Sequence, residues 1–211
     1  MGFKHTGLFP EQAVNWDWMI EKIQKAKRPI KVLNLFAYTG GATVACSYAG
    51  AEVVHVDSSK GMVAWAKENI ASSGLKDRPV RFIIDDVTKF VNREIRRGNK
   101  YDAIIMDPPS YGRGKNGEVW QFENNIADLV NLCSKVLSEN PLFFLINSYT
   151  TGISSKVLEN MLYLELGQSQ EINKNLKDKI LKGSFSSGEI GIPMKDSKLV
   201  LPCGIYSRWE K

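Results

Sequence analysis

Asp107-Pro108-Pro109-Ser110-Tyr111 follows a short apolar run and holds the residue types best suited to chemistry. Two prolines stiffen the backbone and remove amide donors, so the turn presents carbonyl oxygens and one carboxylate. With an amino nitrogen conjugated to a base ring, the Asp107 carboxylate and the Pro108 carbonyl could accept its hydrogens and localise its lone pair. Displacement at such a nitrogen depends mainly on alignment and desolvation. The plain alternative is a rigid turn. Three other segments speak against that alternative. Asn34-Leu-Phe-Ala-Tyr-Thr-Gly-Gly-Ala-Thr43 reads as a tight turn whose glycines let the backbone approach a ligand. Asp57 ends another apolar run, where a carboxylate can accept from both hydroxyls of an adenosine ribose or cap the next helix. Asp85 and Asp86 end a third, where an adenine ring would lie and where one of the two could serve as a cap.

Those positions need a scaffold that brings strand ends together. Segments 31–36, 52–56, 80–84, 101–106 and 142–146 are short and rich in β-branched or aromatic residues, as in strands buried on both faces. Between them, 40–48, 59–72, 87–97 and 120–137 carry apolar residues at helical spacing, such as Met62, Trp65, Ala66 and Ile70. Gly50 and Gly74 stand where helices should end, and Ser58 and Asp86 where helices should be capped. Repeated strand and helix predicts a doubly wound, Rossmann-like α/β fold with a mostly parallel sheet. Beyond it come a helix over 156–166, a polar stretch over 168–182 and a Ser/Gly segment. Segments 189–193 and 199–209, joined around Lys195 and Asp196, predict a C-terminal antiparallel hairpin. The expected organisation is a lead-in over 1–30 and one domain over 31–211.

The 28 basic and 23 acidic residues leave a surplus of five, which permits a polyanionic partner without requiring one. Cys46, Cys133 and Cys203 form no CxxC pair, which argues against a disulfide framework or a zinc site and fits a reducing cytoplasm. No metal site is expected. No apolar run approaches a membrane span, and 1–10 lacks the apolar stretch of a secretory signal.

Taken together, the four loop motifs resemble those of class I S-adenosylmethionine (SAM) dependent methyltransferases. Within that class they resemble the bacterial 23S (large-subunit) ribosomal RNA methyltransferase group with LFxYTG, VDxS and DPP motifs. The resemblance runs from about 6 to 149. It implies that Phe36, Ala37, Tyr38, Thr39 and Gly40 wrap the amino-acid end of SAM. It implies further that Asp57 and Ser58 hold the ribose, that Asp85, Asp86 and Val87 meet the adenine, and that Asp107, Pro108 and Pro109 are catalytic. Thr6-Gly-Leu-Phe-Pro-Glu-Gln12 is similar to a TGxFxDQ segment that closes over the cofactor, which adds Phe9 and Gln12. The group usually carries an RNA-binding domain upstream, so a truncation is expected.

There are departures. Members that methylate carbon 5 of cytosine use a cysteine after the fifth strand. That place reads Asn147-Ser-Tyr-Thr150 here, so a nitrogen or oxygen acceptor is expected. Cys46 and Cys133 are expected as core residues, with Cys203 the remaining candidate nucleophile. Tyr111, Arg113 and Lys115 are the candidate RNA contacts, in a glycine-rich basic segment that could form a lid. Arg93, Arg96, Arg97 and Lys100 suit the C-terminal end of a helix and are expected to be a solvated face. The expected function is methylation of a base in RNA. The alternatives are a protein or small-molecule acceptor and a non-catalytic SAM- or RNA-binding module. A nicotinamide-dependent oxidoreductase would need a GxGxxG turn that is absent.

Overall fold

The computed structural model describes residues 7–113, 117 and 119–211. A 3-10 turn, Pro10–Gln12, leads into α1 (Ala13–Lys25), followed by β1 (Lys31–Leu35), α2 (Gly41–Tyr48), β2 (Glu52–Asp57) and α3 (Lys60–Ser72). Next come β3 (Val80–Ile84), α4 (Val87–Arg97), β4 (Ala103–Met106), β5 (Tyr111–Arg113), β6 (Val119–Gln121) and α5 (Phe122–Ser134). The chain ends with β7 (Phe143–Ser148), α6 (Ser155–Leu162), a π-helical turn at Tyr163–Gly167, α7 (Lys174–Lys182), β8 (Ser184–Pro193) and β9 (Val200–Glu210).

One sheet has the order β3-β2-β1-β4-β7-β9-β8. Its first five strands are parallel, and β9 and β8 are added antiparallel at the edge. This is the expected doubly wound sheet with a C-terminal hairpin. Alternating side chains build a core on each face. Leu33, Leu35, Ile104, Met106, Phe144 and Ile146 pack beneath α4, α5, α6 and α7. On the other face Val32, Val53, Ala103, Ile105 and Leu145 meet Met19 and Ile23 of α1 and Cys46 of α2. The lead-in helix is therefore packed into the same core as the sheet. Burial accounts for both inner cysteines and raises their thiol pKa values.

Register does the positioning. Leu35 stands level with Val56 and Met106, and Met106 with Ile146. The next residues, Phe36, Asp57, Asp107 and Asn147, consequently form a row at the carboxyl edge of the sheet.

Several local expectations change. The cap of α3 is Ser59, not Ser58: its side chain accepts from the Met62 amide at 3.4 Å. Asp86 caps α4 as expected, accepting from the Lys89 amide at 2.9 Å, and Gly50 and Gly74 adopt positive φ. The helix expected over 120–137 is shorter, because Trp120 belongs to β6 and the chain after α5 turns into a bridge between Tyr101 and Leu137. The polar stretch contains α7, capped by Asn173 and anchored by buried Leu176 and Ile180 at helical spacing. The Ser/Gly segment is the first half of β8, whose ladder with β9 overrides its weak strand propensity.

Candidate active site

The loop between β1 and α2 is held in a sparsely populated conformation. Phe36 and Tyr38 have φ of 54° and 49°, and Gly40 has φ of 88° as the residue before α2. Any side chain at Gly40 would meet the Ala66 Cβ at 3.1 Å, so the loop closes tightly on α3. Asp57 holds the loop from the neighbouring strand. Its Oδ2 accepts from the Tyr38 amide at 2.9 Å and its Oδ1 from the Ser59 amide at 2.8 Å. Asp57 therefore does not cap α3, a place that Ser59 takes; its carboxylate holds the loop instead, and carboxylate oxygens can accept more than one bond each.

Beneath the loop lies a buried polar chain. Asn34 Nδ2 donates to Thr43 Oγ1 at 2.9 Å, which directs the Thr43 proton to His55 Nδ1, also at 2.9 Å. Burial pushes the His55 pKa down to about 4, so the imidazole stays neutral and structural.

The lead-in turn closes the loop from above. Thr39 Oγ1 donates to the Gly7 carbonyl, and Phe9 lies with its ring centroid 5.7 Å from that of Tyr38 and 6.0 Å from that of Tyr149. Gln12 Nε2 donates to the Tyr149 hydroxyl at 2.8 Å, and that hydroxyl donates to Glu11 Oε1 at 3.0 Å. Asn15 Nδ2 bonds both Gln12 Oε1 and Asn147 Oδ1 at 2.8 Å, and Arg208 donates to Asn15 Oδ1. Phe9, Gln12, Phe36, Ala37, Tyr38, Thr39, Gly40, Asp107 and Asn147 share one cavity. Lead-in, glycine loop and the Asp107 turn, separate in sequence, therefore meet.

Asp107 is half-buried, and among the described residues nothing hydrogen-bonds its carboxylate. Burial, reinforced by the charge of Glu11, raises its pKa to about 7. Ser110 of the same turn accepts from Thr150 Oγ1 at 2.9 Å, fixing the turn to the loop after β7. The Pro109 carbonyl is already taken by Trp120 Nε1 at 2.6 Å, and the Trp120 ring lies 5.7 Å from Phe36. Trp120 was not among the expected site residues; an indole soon after a glycine-rich segment was its only signal.

The remaining candidates divide. Tyr111 and Arg113 are exposed on β5, with Arg113 Nε donating to the Tyr111 hydroxyl at 2.9 Å; Lys115 lies outside the described residues. The expected lid is, over 111–113 and 119–121, an ordered two-stranded ribbon. Asp85 is paired with Arg93, Asp86 is a cap, and the Val87 side chain is buried in the core. Any contact to adenine there would come from backbone or from carboxylate lone pairs left over. Arg97 pairs with Glu94 at 3.1 Å and Lys100 bonds the Lys135 carbonyl at 2.6 Å, in keeping with a solvated face. Ser58 remains beside Asp57 at the strand end. Cys203 lines a cleft with Tyr149, Thr150 and Glu189.

The site fits an adenosyl cofactor with a cationic centre. Its loop backbone is shaped for close approach, Asp57 ends the second strand, and among the described residues the cavity's lining offers Asp107 but no lysine, arginine or histidine.

Comparison with known proteins agrees. Residues 2–154 match the family model described as S-adenosylmethionine-dependent methyltransferase. The chain is 36% identical over 141 residues to the ribosomal RNA large subunit methyltransferase K/L of Shewanella frigidimarina, covering 66% of this chain and 19% of the relative. It thus spans about a fifth of that relative's length. A SAM dependent methyltransferase from Agrobacterium tumefaciens superposes with a TM-score of 0.86 at 39% identity, over 100% of this chain and 65% of that one. A methyltransferase structure complexed with S-adenosylhomocysteine shares the fold, with a TM-score of 0.74 at 20% identity over 96% of this chain and 50% of the other. The chain belongs to the S-adenosylmethionine-dependent methyltransferase family.

Proposed function

We propose that this chain is the methyl-transferring part of an enzyme that modifies a base in RNA, ribosomal RNA in the first place, at a nitrogen. The observation that carries this reading is the Asp107-Pro108-Pro109 turn, whose half-buried carboxylate has no hydrogen-bond partner among the described residues and shares a cavity with the glycine loop. The relatives named as ribosomal RNA large subunit methyltransferases support the choice of RNA. SAM supplies an electrophilic methyl group when bound. Phe36 to Gly40 and Asp57 hold it, with Phe9 and Gln12 closing over its amino-acid end and Ser58, Asp85, Asp86 and Val87 flanking its nucleoside. Asp107 and the Pro108 carbonyl orient the acceptor nitrogen by accepting hydrogen bonds from it, and the Asp107 carboxylate is the base that can take the proton the methylated nitrogen sheds, while Pro109, tied to Trp120, keeps the turn rigid. Tyr111 and Arg113, exposed on β5, meet the RNA, and Lys115 is assigned to the same contact from the sequence alone. Among the described residues no helix is long and apolar enough to cross a membrane. The reading places the enzyme with its RNA in the cytoplasm.

The test is transfer of labelled methyl from SAM to ribosomal RNA lacking its modifications, after S-adenosylhomocysteine binding has been measured by calorimetry with NAD as control. Labelling that disappears in Asp107→Ala supports the reading. Labelling of protein or small molecules with RNA untouched would overturn it, and NAD binding in place of S-adenosylhomocysteine would overturn the cofactor.

A further inference from the structure

Three helices leave a second cavity beside the cofactor loop. In α2, Val44 and Tyr48 stand four residues apart, as do Trp65 and Asn69 in α3, so each pair faces one way. With Trp16 and Asp17 of α1 they line a cavity of about 570 Å³, a size ordinary for a small-molecule site. Trp65 lies against Gly7 and Trp16 against Gly41 so closely that a side chain at either glycine would strike the indole. Among the described residues, neither indole nor the Tyr48 ring contacts another aromatic ring or a cation, and the Asp17 carboxylate has no hydrogen bond or ion pair. The described lining holds no lysine, arginine or histidine. Thr39 ties this cavity to the cofactor loop. Its hydroxyl donates to the Gly7 carbonyl, and its own carbonyl accepts from Asn69 Nδ2 at 2.9 Å, so two walls of the cavity grip the loop.

We propose that this cavity binds a small organic cation, an alkylated ammonium, between Trp16, Tyr48 and Trp65 with Asp17 as countercharge, and that its occupancy strengthens the hold on the cofactor loop. Aromatic faces attract such a cation and tolerate its methyl groups. A phosphate or an RNA backbone would meet no positive charge in the described lining. A neutral apolar ligand would cover the rings and leave the Asp17 carboxylate to lose water without a partner. A cation that bridges the lead-in and α3 orders the two elements that bond Thr39, which lowers the cost of ordering the loop when the cofactor binds. The effect is reciprocal, so the cofactor tightens cation binding by the same factor. The cation site is independent of the RNA reading, and only the coupling rests on the cofactor of the family.

Calorimetry on the full chain tests this with choline and with its uncharged analogue, which carries a tert-butyl group in place of the trimethylammonium. Choline should bind, and the analogue should bind at least about tenfold more weakly, since it keeps the shape and lacks the charge. Asp17 and Tyr48 are exposed, so their replacement leaves the core intact. Asp17→Asn should weaken choline about tenfold and Tyr48→Ala about fivefold, the losses of one charge interaction and of one aromatic face. S-adenosylhomocysteine should bind about threefold more tightly in saturating choline than in sodium chloride of equal concentration. No binding of choline, equal binding of the analogue, or unchanged binding by both variants would overturn the cation site. Competition between choline and S-adenosylhomocysteine would place the cation in the cofactor cavity and overturn the proposal likewise. Unchanged affinity for S-adenosylhomocysteine would overturn the coupling. Failure of S-adenosylhomocysteine to bind at all would overturn the cofactor assignment and the coupling with it, while the choline titrations still decide the cation site.

Discussion

The Tyr149 hydroxyl donates to Glu11 Oε1 at 3.0 Å, joining the loop after β7 to a turn 138 positions earlier in the chain. The same hydroxyl accepts from Gln12, so one phenol fixes two side chains of the segment over the cofactor loop. Tyr149→Phe removes both bonds and leaves buried polar atoms without partners, at a cost of about 1–3 kcal/mol. Urea denaturation should show that loss.

Asp107 makes stability depend on pH. Its folded-state pKa of about 7 lies above the ordinary 3.8, so the folded chain binds the proton more tightly than the unfolded one. The favourable contribution is complete below the unfolded value and disappears as pH rises through the folded value. Asp107→Asn should flatten stability between those limits. Above pH 7 it should make the chain more stable by on the order of 2–4 kcal/mol, while abolishing methyl transfer. Thermal melts of both proteins across that range would check it.

Asp57 holds the loop, and the proposed function gives it the cofactor's ribose as well. Asp57→Ala removes acceptors for the amides of Tyr38 and Ser59, so the loop loses its conformation together with the carboxylate proposed to meet the ribose. Affinity for S-adenosylhomocysteine should fall by at least about tenfold, since charge-assisted bonds of this kind contribute about 1.5–3 kcal/mol each. Calorimetry gives the answer, and an unchanged affinity would remove Asp57 from the cofactor site.

Trp120 couples the ribbon to the glycine loop by a ring contact with Phe36 and to the Asp107 turn by a hydrogen bond to Pro109. Trp120→Phe keeps the apolar ring and loses the bond to Pro109, whereas Trp120→Ala loses both. We expect kcat to fall by about fivefold in the first, the equivalent of one ordinary hydrogen bond, and further in the second. Equal activity in all three proteins would show that the ribbon does not support the turn.

Cys203 lines the cleft beside Thr150, yet a nitrogen acceptor needs no covalent adduct. Cys203→Ala should leave transfer within about twofold of the wild type, because a nucleophilic role would cost orders of magnitude. Loss of activity, with a covalent RNA adduct in the wild type, would point instead to a carbon acceptor.

The local sequence determined a great deal about this protein. The strand runs, Asp86 as a cap, the left-handed Gly50 and Gly74, and the glycine turn and double proline all follow from steric and hydrogen-bonding preferences that act over a few residues. So the parallel sheet and its row of loops could be read directly. Tertiary structure decided the rest, because the reasons lie in partners far along the chain. The Ser/Gly-rich start of β8 is a strand only because β9 offers it a ladder. Trp120 leaves its expected helix because β5 pairs with its segment and the Pro109 carbonyl accepts a hydrogen bond from its indole. Glu11 reads as an ordinary acid in a turn, and it is buried under the Tyr149 hydroxyl only when the end of the sheet is folded against it. Short-range rules set backbone conformation one residue at a time, whereas burial, charge and proton affinity belong to neighbourhoods that exist only after the chain has closed.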